Sequence, residues 1–227
     1  ALSYPEKRPF FLEGIELFDT PSRLVYTRQI AEPKVGGKVT GKLGETGIAY
    51  MTALEDEVGG GDALFNVVRL RRDYGGSSLA GVTYTDRSVI GGGTGDYNRV
   101  LAADVRHVFG GMYFAAAQFG HAWTREGTGE VGAPIWSLEI DRTGHRYGFN
   151  YELNGVGRDF ITRSGFVNRD DIVNGRAFNR FSYYGSPGAS IERINTISTI
   201  NRTWTHDDFR FDDAIEGSET LNTTARM

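Results

Sequence analysis

The feature that most constrains this chain is a period of two held over unusually long runs. From Arg146 to Asn154, Tyr147, Phe149, Tyr151 and Leu153 take one set of alternate positions. Arg146, Gly148, Asn150, Glu152 and Asn154 take the other. Successive side chains of a strand point to opposite faces, so this segment reads as a strand with one apolar and one polar wall. The same pattern recurs upstream. Trp136, Leu138 and Ile140 oppose Ser137, Glu139 and Asp141, and the link Arg142-Thr143-Gly144-His145 is of hairpin length. Tyr113, Ala115, Ala117, Phe119 and Trp123 oppose Gln118, Gly120 and Thr124, while Leu101, Ala103, Val105 and Phe109 oppose Asp104 and Arg106. Ile48 to Leu54, Phe65 to Asp73, Leu79 to Thr85 and Ile191 to Thr205 complete the set.

These runs predict about eight or nine strands of roughly ten residues, longer than the five or six usual in soluble sheets and long enough to cross a bilayer at a tilt. Short turns (Glu45-Thr46, Gly110-Gly111) alternate with longer Gly-rich links (Glu55 to Asp62, Arg87 to Tyr97, Arg125 to Ala133). Outer-membrane barrels have turns at one end and loops at the other. The expected fold is therefore all-β, an antiparallel up-and-down barrel of outer-membrane type or part of one. A soluble β-sandwich or lipocalin-like barrel is the alternative. Arg69 and Arg71, Asp104 and Arg106, and Glu139 and Asp141 fall mid-strand on one face, which suits either a polar lumen or a solvated exterior. Tyr84, Tyr97, Tyr113, Trp123, Trp136, Tyr183, Tyr184 and Trp204 are read as interfacial aromatics at strand ends.

Residues 1–36 differ from the rest. Pro5 and Pro9 deny a central strand, and this irregular lead-in is expected to carry a turn of helix near Gly14 to Phe18. Residues 37–227 form the barrel region. Composition agrees: 39% hydrophobic residues and 31 glycines suit strands apolar on one face only. A formal charge of −4 gives no concentrated basic surface, so no nucleic-acid partner is expected. There is no cysteine, which excludes disulfides and thiolate metal sites.

Two stretches are more specific. Glu6-Lys7-Arg8-Pro9-Phe10-Phe11-Leu12-Glu13-Gly14, then Leu17-Phe18, Tyr26 to Ile30 and Gly37 to Lys42 form the first. Gly157-Arg158-Asp159-Phe160 with Gly165 to Asp171 forms the second. Together they resemble a family of large bacterial proteins in which a family 9 carbohydrate-binding module is followed by a barrel, domain of unknown function 5916. The resemblance spans nearly the whole chain. It implies an outer-membrane location in a Gram-negative cell (periplasmic or secreted being the alternative), outer-membrane lipid and a carbohydrate ligand as partners, and a chain that is a fragment of a longer barrel. An incomplete barrel would also self-associate. The family carries no established catalytic residues.

For chemistry, paired carboxylates come first, since glycosidases use two at a defined separation. Counting back from the Arg142 to His145 link places Glu139 opposite Glu152, a candidate catalytic pair, with Asp141, Arg146 and Trp136 as binding neighbours. The plainer reading is a charge ladder along a polar wall, so enzymatic activity stays open. No cofactor is expected. Calcium is the one ion the acidic runs His206 to Asp213 and Asn168 to Gly175 suggest, although neither has a complete ligand loop. His107, His121, His145 and His206 lack metal-ligand spacing, and no nucleophile elbow or phosphate loop occurs.

Overall fold

In the computed structural model, which describes residues 4–57, 60–93, 95–186, 188–207 and 218–226, the chain forms one antiparallel sheet of eleven strands. They are β1 (Pro33–Leu43), β2 (Thr46–Asp56), β3 (Asp62–Tyr74), β4 (Ser78–Ile90), β5 (Tyr97–Phe109), β6 (Tyr113–Glu126), β7 (Gly129–Arg142), β8 (Tyr147–Val156), β9 (Ile172–Tyr184), β10 (Arg193–Thr205) and β11 (Glu219–Arg226). Each pairs with its sequence neighbours, so the order in space is the order in the chain. The expected count of eight or nine strands is thus too low, because β1, β9 and β11 were not recognised. Closure is not found either: among the described residues, β1 and β11 each pair on one side only. The single sheet is not a sandwich, and among the described residues it does not close into a barrel of either kind.

The turn-and-loop rhythm holds with one correction. Arg125 to Ala133 is not a long loop, because β6 and β7 run on to the rungs Arg125↔Glu130 and Glu126↔Gly129. Gly127 takes a φ of 61°, the left-handed geometry that a two-residue turn needs.

The two faces differ sharply. On the outer face, Ile48, Leu70, Val82, Ala103, Phe119 and Trp136 form one row of register partners from β2 to β7. Leu101, Leu138, Leu153 and Ile200 are also exposed there. Toward the turn end, Tyr74, His107, Phe109, Tyr113, Phe149 and Tyr151 make a chain of ring contacts with centroids 4.8–6.4 Å apart. Tyr97 and Tyr113 stand at strand ends as expected. Tyr84 and Trp136, by contrast, lie mid-strand, and Tyr184 is on the inner alternation, stacked on His145.

The inner face is covered over part of its width by the lead-in, which holds a short helix (Pro9–Leu12) and two 3₁₀ turns (Ile15–Phe18, Thr27–Gln29). Phe11, Phe18 and Ile30 pack on Ala49, Met51 and Ala53 of β2 and Ala63, Phe65 and Val67 of β3. Leu24 joins Phe160, from the β8–β9 connection, over Val100, Ala102, Ala122, Ala133 and Ile135 of β5 to β7. Small residues at alternate strand positions leave the depth that these side chains fill. Each buried Phe or Leu contributes about 1.5–3 kcal/mol. The lead-in and residues 157–171 also bond to each other: Tyr26 N donates to Ser164 O, Phe166 N to Arg23 O, and Gln29 Nε2 to Gly165 O. So the segments 23–29 and 164–166 meet on the inner face. Strand pairing begins at Pro33, four residues before the expected barrel region.

Candidate functional site

Among the described residues, the inner face carries the buried ion pair and the carboxylate rung, in two zones. The first lies under the lead-in. Arg69 on β3 is 1% exposed, and its guanidinium reaches across β4 to the Asp104 carboxylate on β5. Nη2 lies 2.9 Å from Oδ2, Nη1 also contacts Oδ1, and Nη1 donates to Thr83 Oγ1 at 3.0 Å. Gly81 makes the crossing feasible, because a Cβ there would come within 2.7 Å of three guanidinium atoms. Gln118, fully buried, accepts the Ser22 amide at 2.6 Å and so ties the lead-in to β6. A cleft of about 410 Å³ opens beside this pair, lined in part by Glu16, Asp19, Arg71, Arg106 and Glu139. Burial, and then the neighbouring Glu16, raises the Asp19 carboxyl above its ordinary value.

The lead-in has its own knot. Glu6 accepts from Nε and Nη2 of Arg8, from the Lys7 and Arg8 amides and from Thr27 Oγ1. Arg8 in turn donates to the carbonyls of Thr27, Ile30 and Ala31 and covers the Phe11 ring at 4.2 Å. This guanidinium holds the Glu6 carboxyl far below the usual carboxylate range.

The second zone contains the expected carboxylates. Glu139 and Glu152 are register partners on β7 and β8, as counting from the hairpin predicts. The same row runs on from Arg106 and Ala116 to Arg176 and Asn201. Glu139 accepts from Asn150 Nδ2 at 2.6 Å, and Glu152 pairs with Arg176 at 3.1 Å. Asp141 shares the face and accepts from Thr143 Oγ1 at 3.0 Å. The other two expected neighbours are elsewhere. Trp136 is on the outer face, its ring against Gly155, where a Cβ would meet it at 2.2 Å. It is excluded from the Glu139 wall by one position of the alternation. Arg146 is exposed beyond the last β7–β8 rung, and its carbonyl accepts from the Ser182 amide at 2.6 Å. The cation at the pair is therefore Arg176. It was missed because β9 mixes apolar and polar residues on both faces, so no strand was read there.

Of the calcium candidates, residues 208–213 lie outside the described residues. Asp171 spends its carboxylate on the His206 and Asp207 amides and on Arg158. Among the described residues, no group of three or more His, Cys, Asp or Glu is placed to hold a metal ion. Compared with family models, curated proteins and solved structures, the chain matches none.

Proposed function

We propose that this sheet is the wall of an outer-membrane-type β-barrel whose inner face binds or passes a hydrophilic, carbohydrate-class solute. The observation that carries the reading is the division between faces. Large apolar residues are exposed along the outside of nine successive strands, β2 to β10, which are 10–14 residues long. A buried ion pair and buried amides and hydroxyls lie inside. In water such an exterior has no favourable partner, whereas in lipid it is the expected surface. A wall of Glu139, Asp141, Asn150, Glu152, Arg176 and Asn201 presents donors and acceptors suited to sugar hydroxyls. The word carbohydrate rests on the resemblance to the family of unknown function. The unpaired edges of β1 and β11 fit a piece of a larger barrel, completed by further strands or by a second copy.

Detergent extraction followed by gel electrophoresis with and without heating tests this. Migration that changes on heating supports the barrel; a monomer soluble in plain buffer sinks it. A second reading, glycan hydrolysis, is favoured by one observation, the Glu139↔Glu152 rung. Unchanged glycan turnover after Glu139→Gln and Glu152→Gln would remove that pair.

A further inference from the structure

We infer that the cleft under the lead-in, beside the Arg69–Asp104 pair, binds a small zwitterion of the amino-acid or short-peptide class. Its two walls carry opposite charge. Glu16 and Asp19 line it from the lead-in, and Arg71 and Arg106 line it from β3 and β5. Among the described residues, no ion pair or side-chain hydrogen bond holds either of those carboxylates. Arg23, Arg71 and Arg69 lie near enough to pull the Asp19 carboxyl down, yet burial and Glu16 outweigh them. On the sheet side, Arg71 Nε is buried without a hydrogen bond, 3.4 Å from an Asp73 that Lys42 already holds. Arg106 donates to the Ser77 carbonyl at 3.1 Å and lies over the Phe114 ring, with no carboxylate partner among the described residues. Arg69, 1% exposed, also lines the cleft, and its Nε has no hydrogen-bond partner.

Packing holds these opposite charges apart. Phe18 is buried against β2 and β3 on one side of Asp19, and on the other the Ser22 amide is tied to Gln118 of β6. The acidic wall therefore faces the basic one across about 410 Å³, within the roughly 300–1,000 Å³ of ligand clefts. A solute with an ammonium for Glu16 and Asp19 and a carboxylate for Arg71 and Arg106 completes both walls with charge-assisted bonds. A lone anion or a lone cation satisfies one wall and is repelled by the other. Between the charges, Leu79, Phe114 and Ala116 supply an apolar lining. A small molecule with both charges and an apolar body is an amino acid or a short peptide. This site goes beyond the carbohydrate reading, which concerns the wall from β7 to β10. Glu139 borders both, and Asn150 already donates to it at 2.6 Å.

The full chain in detergent micelles is titrated calorimetrically with phenylalanine and with alanylphenylalanine, each beside its N-acetyl and C-terminal amide forms. At least one zwitterion should bind about tenfold more tightly than either of its blocked forms, the loss expected of one charge-assisted hydrogen bond. Asp19→Asn should weaken the zwitterion by about the same factor without weakening the acetylated form. Arg71→Gln should do so without weakening the amide. The blocked-form comparison on the unaltered protein decides the matter even if a variant fails to fold. Failure of both zwitterions to bind, or a blocked form that binds as tightly, would overturn the site. So would an acetylated form that binds best, which assigns the cleft to anions. The two readings fail separately. Protein that stays monomeric in plain buffer defeats the membrane reading and leaves the cleft to be titrated there, whereas heat-modifiable protein that takes neither zwitterion defeats only the cleft.

Discussion

The two parts of the inner face carry the same strand alternation but use it differently. Under the lead-in, from β2 to β7, Ala, Val, Met, Phe and Ile cluster at inward positions, with the buried Arg69–Asp104 pair and buried Thr83, Thr85, Asn98, Gln118 and Thr124 among them. From β8 to β10 the inward positions are mainly polar, Asn150, Glu152, Asn154, Asn174, Arg176, Arg180, Asn195, Thr199 and Asn201, mostly half-buried, with Phe178 and Ile197 between them. An inward face on a strand is therefore not by itself a polar face. Apolar side chains cluster where the lead-in packs, and paired polar groups predominate from β8 to β10.

Matched substitutions in the two parts sharpen this contrast. The largest effect is expected at Phe18→Ala, which empties a buried position and should cost about 3–5 kcal/mol in denaturant unfolding of the detergent-folded protein. Phe178→Ala, at a half-buried inward position of β9, should cost about 1 kcal/mol. Similar costs for both would erase the distinction. The ion pairs give a second comparison. Asp104→Ala strands the Arg69 charge in the covered part, for about 3–5 kcal/mol, and replacing both partners by Leu should recover much of it. Glu152→Gln, opposite the accessible Arg176, should cost no more than about 1 kcal/mol.

A smaller effect concerns pH. The Glu6 carboxyl titrates lower in the folded chain than in the unfolded one. Its contribution is therefore complete above the ordinary carboxylate range and is lost as pH falls through and below that range. Glu6→Gln should remove about 1.5–3 kcal/mol at neutral pH and flatten the acid limb of a stability–pH curve. An unchanged acid limb would show that the Glu6–Arg8 knot does not anchor the lead-in.

Much of the sheet was legible in the sequence. Where outward Leu, Ile, Phe or Trp faced inward polar residues, as in β5, β7 and β8, alternation identified the strand, and the hairpin count placed Glu139 opposite Glu152. It failed where one wall lacks large residues. β1 carries Gly36, Gly37 and Gly41, and β11 has Leu221 as its one large apolar residue. In β9 the outward Val173, Gly175 and Ala177 are small beside Trp204, whose ring lies 3.2 Å from the Cβ position of Gly175. The lead-in's packing was hidden for a related reason: Phe11, Phe18, Leu24 and Ile30 follow no period. A signal existed in the run Ala49, Met51, Ala53, which is too apolar for a wetted wall and too small for a lipid-facing one.

Because the chain has no cysteine, single cysteines can be placed at will, and positions 138 to 141 test the two-faced wall most directly. Spin labels there, in reconstituted bilayers, are compared for access to oxygen and to a water-soluble nickel complex. The account predicts strict alternation: 138 and 140 reached by oxygen and shielded from nickel, 139 and 141 reached by nickel. Equal nickel access at all four positions would contradict it.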